Sequence, residues 1–218
     1  MDRSMEAKKI DSRMYRSRTT AERRTERRGK LVEAAIEAFS SSGYRNSSIE
    51  QLCAMAGTST RNFYEEFGSK EELLHALYDD INKRALGAVA AAIAAADPEN
   101  PKARVGAGVT AYLASVTADV RLARIAHVES VGISADMEAH RQAALDAFAA
   151  IIKQEAERMA MARQAPTRDF SLTAIALVGA IKGLAVTAAT QGDGTASLKN
   201  VAAEATELMV AAILGPRH

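Results

Sequence analysis

Thr60, Arg61 and Asn62 are three adjacent residues whose side chains suit the reading of DNA base edges. An arginine can grip guanine O6 and N7 with a two-pronged fork, and an asparagine can pair with adenine N6 and N7. Ser59 precedes them, and Ser48 stands just before the apolar-periodic segment upstream. A serine at such a position caps a helix, and its hydroxyl and the helix N-terminus both attract phosphates. These five residues point to binding of DNA, not to turnover of a substrate.

Catalysis needs a constellation, and the chain lacks one. It has no phosphate-binding glycine loop, no paired-histidine zinc motif, no nucleophile elbow and no cysteine pair. His127 and Glu129 are two residues apart, which on a helix turns them to different sides. Joining either to Asp136 or His140 around a metal would take tertiary contacts. No metal, no cofactor and no enzymatic activity are therefore expected. The lone Cys53 reads as a small buried apolar residue and excludes an internal disulfide.

The elements that must position these residues lie between Ser47 and Leu74. Ser48 followed three residues later by Gln51 fits a capping box. Ile49, Leu52 and Ala56 recur at helical spacing, and Gly57 stands where a left-handed cap is wanted. A second short helix then opens at Ser59, with Phe63 and Phe67 on its inner face. Two short helices around a tight glycine turn make a helix-turn-helix, whose second helix can enter a major groove.

The stretch resembles the DNA-binding domain of the TetR family of bacterial transcriptional regulators. The resemblance covers residues 24 to 78 and rests on Gly43-Tyr44, Ser47-Ser48-Ile49, Leu52-Cys53, Ala56-Gly57, Ser59, Phe63-Tyr64, Phe67 and Ser69-Lys70-Glu71-Glu72-Leu73. It implies phosphate contacts from Tyr64 and Lys70, and a basic N-terminus of the preceding helix, including Arg24, that approaches DNA. Cys53 departs from the usual alanine and Thr58 from the usual valine. Glu65-Glu66 stands where a histidine or aromatic residue often faces the DNA backbone.

The charge distribution agrees with a nucleic-acid partner. The net charge is only +1, but residues 1 to 30 hold eleven Lys or Arg against five Asp or Glu. The rest of the chain is acidic, so the positive charge is gathered just before the helix-turn-helix. With 48% hydrophobic residues, four prolines and no tryptophan, the chain is expected to be all-α, with enough length for a real core. It has no basic-then-apolar leader, and its single cysteine fits a reducing compartment, so a cytoplasmic location is expected. The run Leu172 to Thr190 is interrupted by Lys182 and reads as a buried or dimer-forming helix, not a membrane span.

In chain order, residues 1–22 read as a flexible basic arm whose Arg13, Arg16 and Arg18 can reach a phosphate backbone or a minor groove. Residues 23–69 form the helix-turn-helix domain, an N-terminal three-helix unit opened by a helix from Arg23 to Ser42. Residues 70–218 form a helical effector-binding and dimerisation domain. Its first helix starts after Ser69 and stops before Asp97-Pro98. Further helices are expected over Val105–Thr117, Asp119–Ser130, Asp136–Arg163, Phe170–Thr190 and Ser197–Leu214, with a loop at Gly192-Asp193-Gly194.

By resemblance, the last two helices form a dimer interface, packing with their copies as a four-helix bundle, and their many small residues permit close approach. The resemblance also implies an effector pocket, for which Tyr112, Val116, His127, Phe148, Ile152 and Ile175 are candidates by apolar or aromatic character. The expected function is that of a ligand-responsive repressor that binds a palindromic double-stranded operator as a homodimer and has no membrane partner. A non-specific DNA-binding protein and a helical small-molecule enzyme are the rivals.

Overall fold

The computed structural model describes residues 20–190 and 198–215. Residues 1–19 of the expected arm, with Arg13, Arg16 and Arg18, and the Gly192–Gly194 loop lie outside the described residues. Every regular element among the described residues is helical, as the composition predicts. The chain divides into two compact units, Met1–Leu73 and Leu74–His218.

The first unit opens with α1, Thr20–Ser41, so the helix begins ahead of the expected Arg23. Leu31, Ala34, Ala35, Ala38 and Phe39 fall on one side of it and are buried. Gly43, at φ 91°, makes the turn out of α1 that a side chain would strain. Tyr44 then packs its ring edge on Phe39, with centroids 5.2 Å apart. Helix α2 is Ile49–Ala56 and α3 is Thr60–Glu66. Phe39, Phe63 and Phe67 are fully buried, and each such burial is worth ~1.5–3 kcal/mol. The unit closes with the first turn of α4, Lys70–Ala95, where Ser69 Oγ accepts from the Glu72 amide at 3.0 Å.

In the second unit, α5 is Pro101–Thr117. It starts earlier than the expected Val105, because Asn100 caps it and proline costs nothing at the first helical position. The single helix expected over Asp119–Ser130 is instead α6, Val120–Arg124, continued by a π turn over Ile125–Glu129. The Ser130 amide donates to the Ile125 carbonyl at 3.1 Å, five residues back, so one extra residue is looped into the turn. Ser134 caps α7, Ala135–Met161, and two small-residue helices follow, α8, Ser171–Thr190, and α9, Leu198–Leu214. Val105, Val109 and Leu113 of α5, Leu177, Ile181 and Ala185 of α8, and Val201, Ala205, Met209 and Ile213 of α9 form the core with Met159 and Phe170. The spacing of four residues within each set puts it on one helix face. No described helix is long and apolar enough to cross a membrane.

Candidate functional site

The turn between α2 and α3 is fixed by local chemistry that the sequence made readable. Ser48 Oγ accepts from the Gln51 amide and Ser59 Oγ from the Asn62 amide, each at 3.2 Å. Gly57 adopts φ 62°, and the amide of Thr58 closes on the Cys53 carbonyl at 2.9 Å. Leu52, Cys53, Ala56 and Phe63 hold the two helices together. Burial, then the charge of Glu50, pushes the Cys53 thiol up, which keeps it protonated and unreactive.

This scaffold leaves Ser48, Ser59, Thr60, Arg61 and Tyr64 exposed, with Asn62 partly covered. The Arg61 side chain is 89% exposed and, among the described residues, has only a 3.4 Å ion pair to Glu65, one turn on. Asn62 Nδ2 donates to Thr58 Oγ1 at 3.1 Å, which orients its amide. Tyr64 stands on the Phe63 ring edge at 5.6 Å and leaves 58% of its surface exposed. The site is therefore a short helix with its N-terminal polar face open and its aromatic face buried.

Lys70 and Arg24 are less open than their sequence positions suggest. Lys70 Nζ donates to the Tyr44 and Ser47 carbonyls at 2.8 and 2.6 Å and lies 4.3 Å over the Tyr44 ring. Burial lowers its pKa, and one of its three donors is left for any phosphate. Arg24 Nε donates to Glu66 Oε2 at 3.0 Å, and the rest of its side chain is 64% exposed.

Glu66 was legible only as a departure from the family pattern. It is in fact buried, and it receives Arg27 as well as Arg24, while Arg28 donates to its main-chain carbonyl at 3.1 Å. Burial raises its carboxyl pKa, but the hydrogen bonds from Arg27 and Arg24 outweigh that and hold it below the usual range. The basic end of α1 is thereby tied to the last turn of α3.

The second unit contains a largely apolar cavity. It is lined from α4 by Tyr78, Asn82, Val89 and Ile93, from α5 by Gly108 and Tyr112, and from the π turn by Ala126 and His127. Leu145, Phe148, Ile152 and Glu155 of α7, Val178 and Lys182 of α8, and Met209 of α9 complete the wall. Tyr112 and Phe148 meet edge to face at 5.2 Å. Burial, then Tyr78, pushes the Tyr112 phenol up to about 12, so it is a neutral donor. A side chain on Gly108 would meet Ile93 at 3.1 Å, so glycine sets the close approach of α4 and α5 here.

Four of the six residues named from the sequence, Tyr112, His127, Phe148 and Ile152, are on this lining. The other two are not. Val116 is buried in the core, and Ile175 is 57% exposed on the outer side of α8. Sequence reasoning missed Lys182 as a cavity residue, although a lone charge in an apolar helix was the signal. No three residues able to hold a metal are clustered among the described residues.

A further exposed apolar stripe runs along α8. Leu172, Ile175, Ala176, Gly179 and Gly183 all face outward, and Leu208 of the neighbouring α9 is 41% exposed.

Comparison with known proteins places this geometry. Residues 31–77 match the profile of the bacterial regulatory proteins, tetR family. No curated protein matches the chain. Among solved structures, a tetR-family regulatory protein from Rhodococcus RHA1 is similar at 22% identity and TM-score 0.69, over 88% of this chain and 98% of that one. FadR from Bacillus subtilis, in complex with stearoyl-CoA, is similar at 15% identity and TM-score 0.72, over 86% and 98%. AibR, in complex with isovaleryl coenzyme A and operator DNA, is similar at 16% identity and TM-score 0.64, over 88% and 100%. Residues 31–77 thus carry the sequence pattern of the bacterial regulatory proteins of the tetR family, and the chain shares its fold with solved structures of such regulators.

Proposed function

We propose that the protein is a cytoplasmic, ligand-responsive repressor that binds a palindromic operator as a homodimer and has no enzymatic activity. The observation that carries the reading is the open N-terminal face of α3, where Thr60, Arg61 and Asn62 follow a serine-capped turn. Base readout needs such side chains at the start of a helix that can enter the major groove. Ser48, Ser59 and Tyr64, with the remaining donors of Arg24 and Lys70, would hold the phosphates on either side.

The homodimer is supported by the exposed α8 stripe, which a second copy would cover, and by the need to present two recognition helices ~34 Å apart. Effector control is supported by the cavity and by FadR and AibR, two proteins of similar fold whose structures hold acyl-CoA ligands. A ligand that prefers one conformation of the dimer would shift the population away from operator-competent spacing. The test is selection of bound fragments from the native genome, then titration of the selected and random DNA while sedimentation reports stoichiometry. A palindromic site bound by two chains, far more tightly than random DNA, is expected. Equal affinity for all fragments would sink the reading and leave a non-specific binder.

A further inference from the structure

The cavity of the second unit is lined mostly by apolar side chains. Of its lining residues, only Glu155 and Lys182 carry full charges at neutral pH, and they are in different states. Both Glu155 oxygens are occupied by the guanidinium groups of Arg104, at 2.6 and 3.0 Å, and Arg158, at 2.9 to 3.2 Å. Lys182 has no hydrogen bond or ion pair among the described residues.

His127 reaches the same cavity from the π turn, and its Nδ1 is buried without a hydrogen-bond partner among the described residues. An unpartnered buried polar atom is costly and is rare in folded proteins. Arg141 adds a second positive group near Lys182, held by Ser130 Oγ at 2.8 Å and by the Ala126 carbonyl. It is already paired with Glu138 at 3.2 Å, whose charge also acts on Lys182 to raise its pKa. The fields of these groups oppose one another. Burial and then the charge of Arg141 lower the Lys182 pKa, and burial, Lys182 and Arg141 together lower that of His127. An anion between Lys182 and His127 would offset the burial of the ammonium and take the hydrogen bond that His127 Nδ1 lacks.

We infer that the cavity takes a small free monocarboxylic acid, its carboxylate between Lys182 and His127 and its apolar body against Phe148, Ile152 and Val178. One ammonium and one neutral ring donor match the two oxygens and single charge of a carboxylate. A dianionic phosphate would leave its second charge without a free cation, because Arg141 is already paired with Glu138. The space, about 80 Å³ measured to the centre of a water molecule, suits a small ligand. Hexanoate, a carboxylate on a short apolar chain, is a probe of that kind.

The inference deepens the effector reading above, but binding itself is measurable without DNA. Calorimetric titration of the full chain with hexanoate, hexanamide and hexanoyl-CoA separates acid, neutral isostere and thioester. Hexanoate is expected to bind about tenfold or more tightly than hexanamide, and Lys182→Met should abolish that preference while Lys182→Arg retains it. Circular dichroism and sedimentation on each variant guard against misfolding. Equal binding of acid and amide, stronger binding of the thioester, or an unaffected Lys182→Met would each overturn the assignment. Hexanoate that binds as expected yet leaves DNA affinity unchanged would sink the effector reading and keep the site. DNA release by other ligands, without any carboxylate preference, would do the reverse.

Discussion

Arg27 Nη2 donates to Glu66 Oε1 at 2.7 Å, and the Glu66 side chain exposes no surface while that of Arg27 stays 28% exposed. With Arg24 and Arg28 converging on the same residue, α1 is fastened to the end of the recognition helix by charge-assisted bonds. Glu66→Ala would remove the acceptor of both Arg24 and Arg27. Neither guanidinium would be stranded away from water, so the cost is expected to be ~1–3 kcal/mol and not that of a fully buried pair. Urea unfolding checks it, and an unchanged midpoint would make the cluster decorative. The sign with pH follows from the depressed carboxyl pKa. The stabilisation is complete above the ordinary carboxylate range and is lost as pH falls through the folded value.

Arg61 is the cleanest probe of base readout, because its only partner among the described residues is an exposed carboxylate. Arg61→Ala should leave stability nearly unchanged, since such surface pairs are worth ~0–1 kcal/mol. It should cost ~1–3 kcal/mol at the cognate operator and relax sequence choice at one position. Equal weakening on cognate and random DNA would reassign Arg61 to the phosphate backbone.

Lys70 distinguishes a structural tie from a DNA contact. Lys70→Met leaves the Tyr44 and Ser47 carbonyls without their ammonium donor, so the domain should lose ~1–3 kcal/mol. If its third donor also meets a phosphate, the slope of log affinity against log salt should shrink by ~0.9. An unchanged slope with reduced stability would leave Lys70 as an internal staple alone.

Local signals made much of the architecture readable. Ser48, Ser59 and Ser69 cap where their positions predict, and Gly57 turns where a left-handed residue is needed. These depend on neighbours within four residues. Glu66 was not readable because its partners lie 39 and 42 positions away, and a glutamate alone does not disclose whether arginines surround it. The π turn escaped because one looped residue barely alters an apolar period. Val116 and Tyr112 are one turn apart on α5, yet only Tyr112 lines the cavity, since periodicity names a face and not its depth. Ile175 misled for a related reason. Helix α8 is apolar on nearly every side, so its sequence could not say which side is buried.

His127 makes the second unit acid-sensitive in a predictable direction. Burial, then Lys182 and Arg141, holds its pKa at about 4, against an ordinary value of 6.5. Between those values the unfolded chain binds a proton that the folded chain excludes. Stability is therefore undiminished above about pH 6.5 and falls toward pH 4, by at most ~1.4 kcal/mol per pH unit. His127→Phe should flatten this part of the stability curve. Parallel wild-type and variant curves from pH 7 to 4.5 would show that the ring titrates normally.

Gly183 tests the dimer. It lies four residues from Gly179 on the outward side of α8, and a side-chain carbon built at either position meets nothing within 4 Å in the single chain. Gly183→Leu should therefore leave each chain folded, and even favour the helix by ~1 kcal/mol through the loss of glycine's backbone freedom. If α8 packs against its copy along this stripe, the same leucine would wedge the helices apart, at ~1–3 kcal/mol for each overpacked contact. A two-fold axis would apply that strain twice. The expected product is a helical monomer, or a much weaker dimer, that has lost tight operator binding because the second half-site contact is no longer intramolecular. Sedimentation and operator titration on one sample decide it. A variant that stays a tight dimer with normal affinity would place the interface away from the Gly179–Gly183 face.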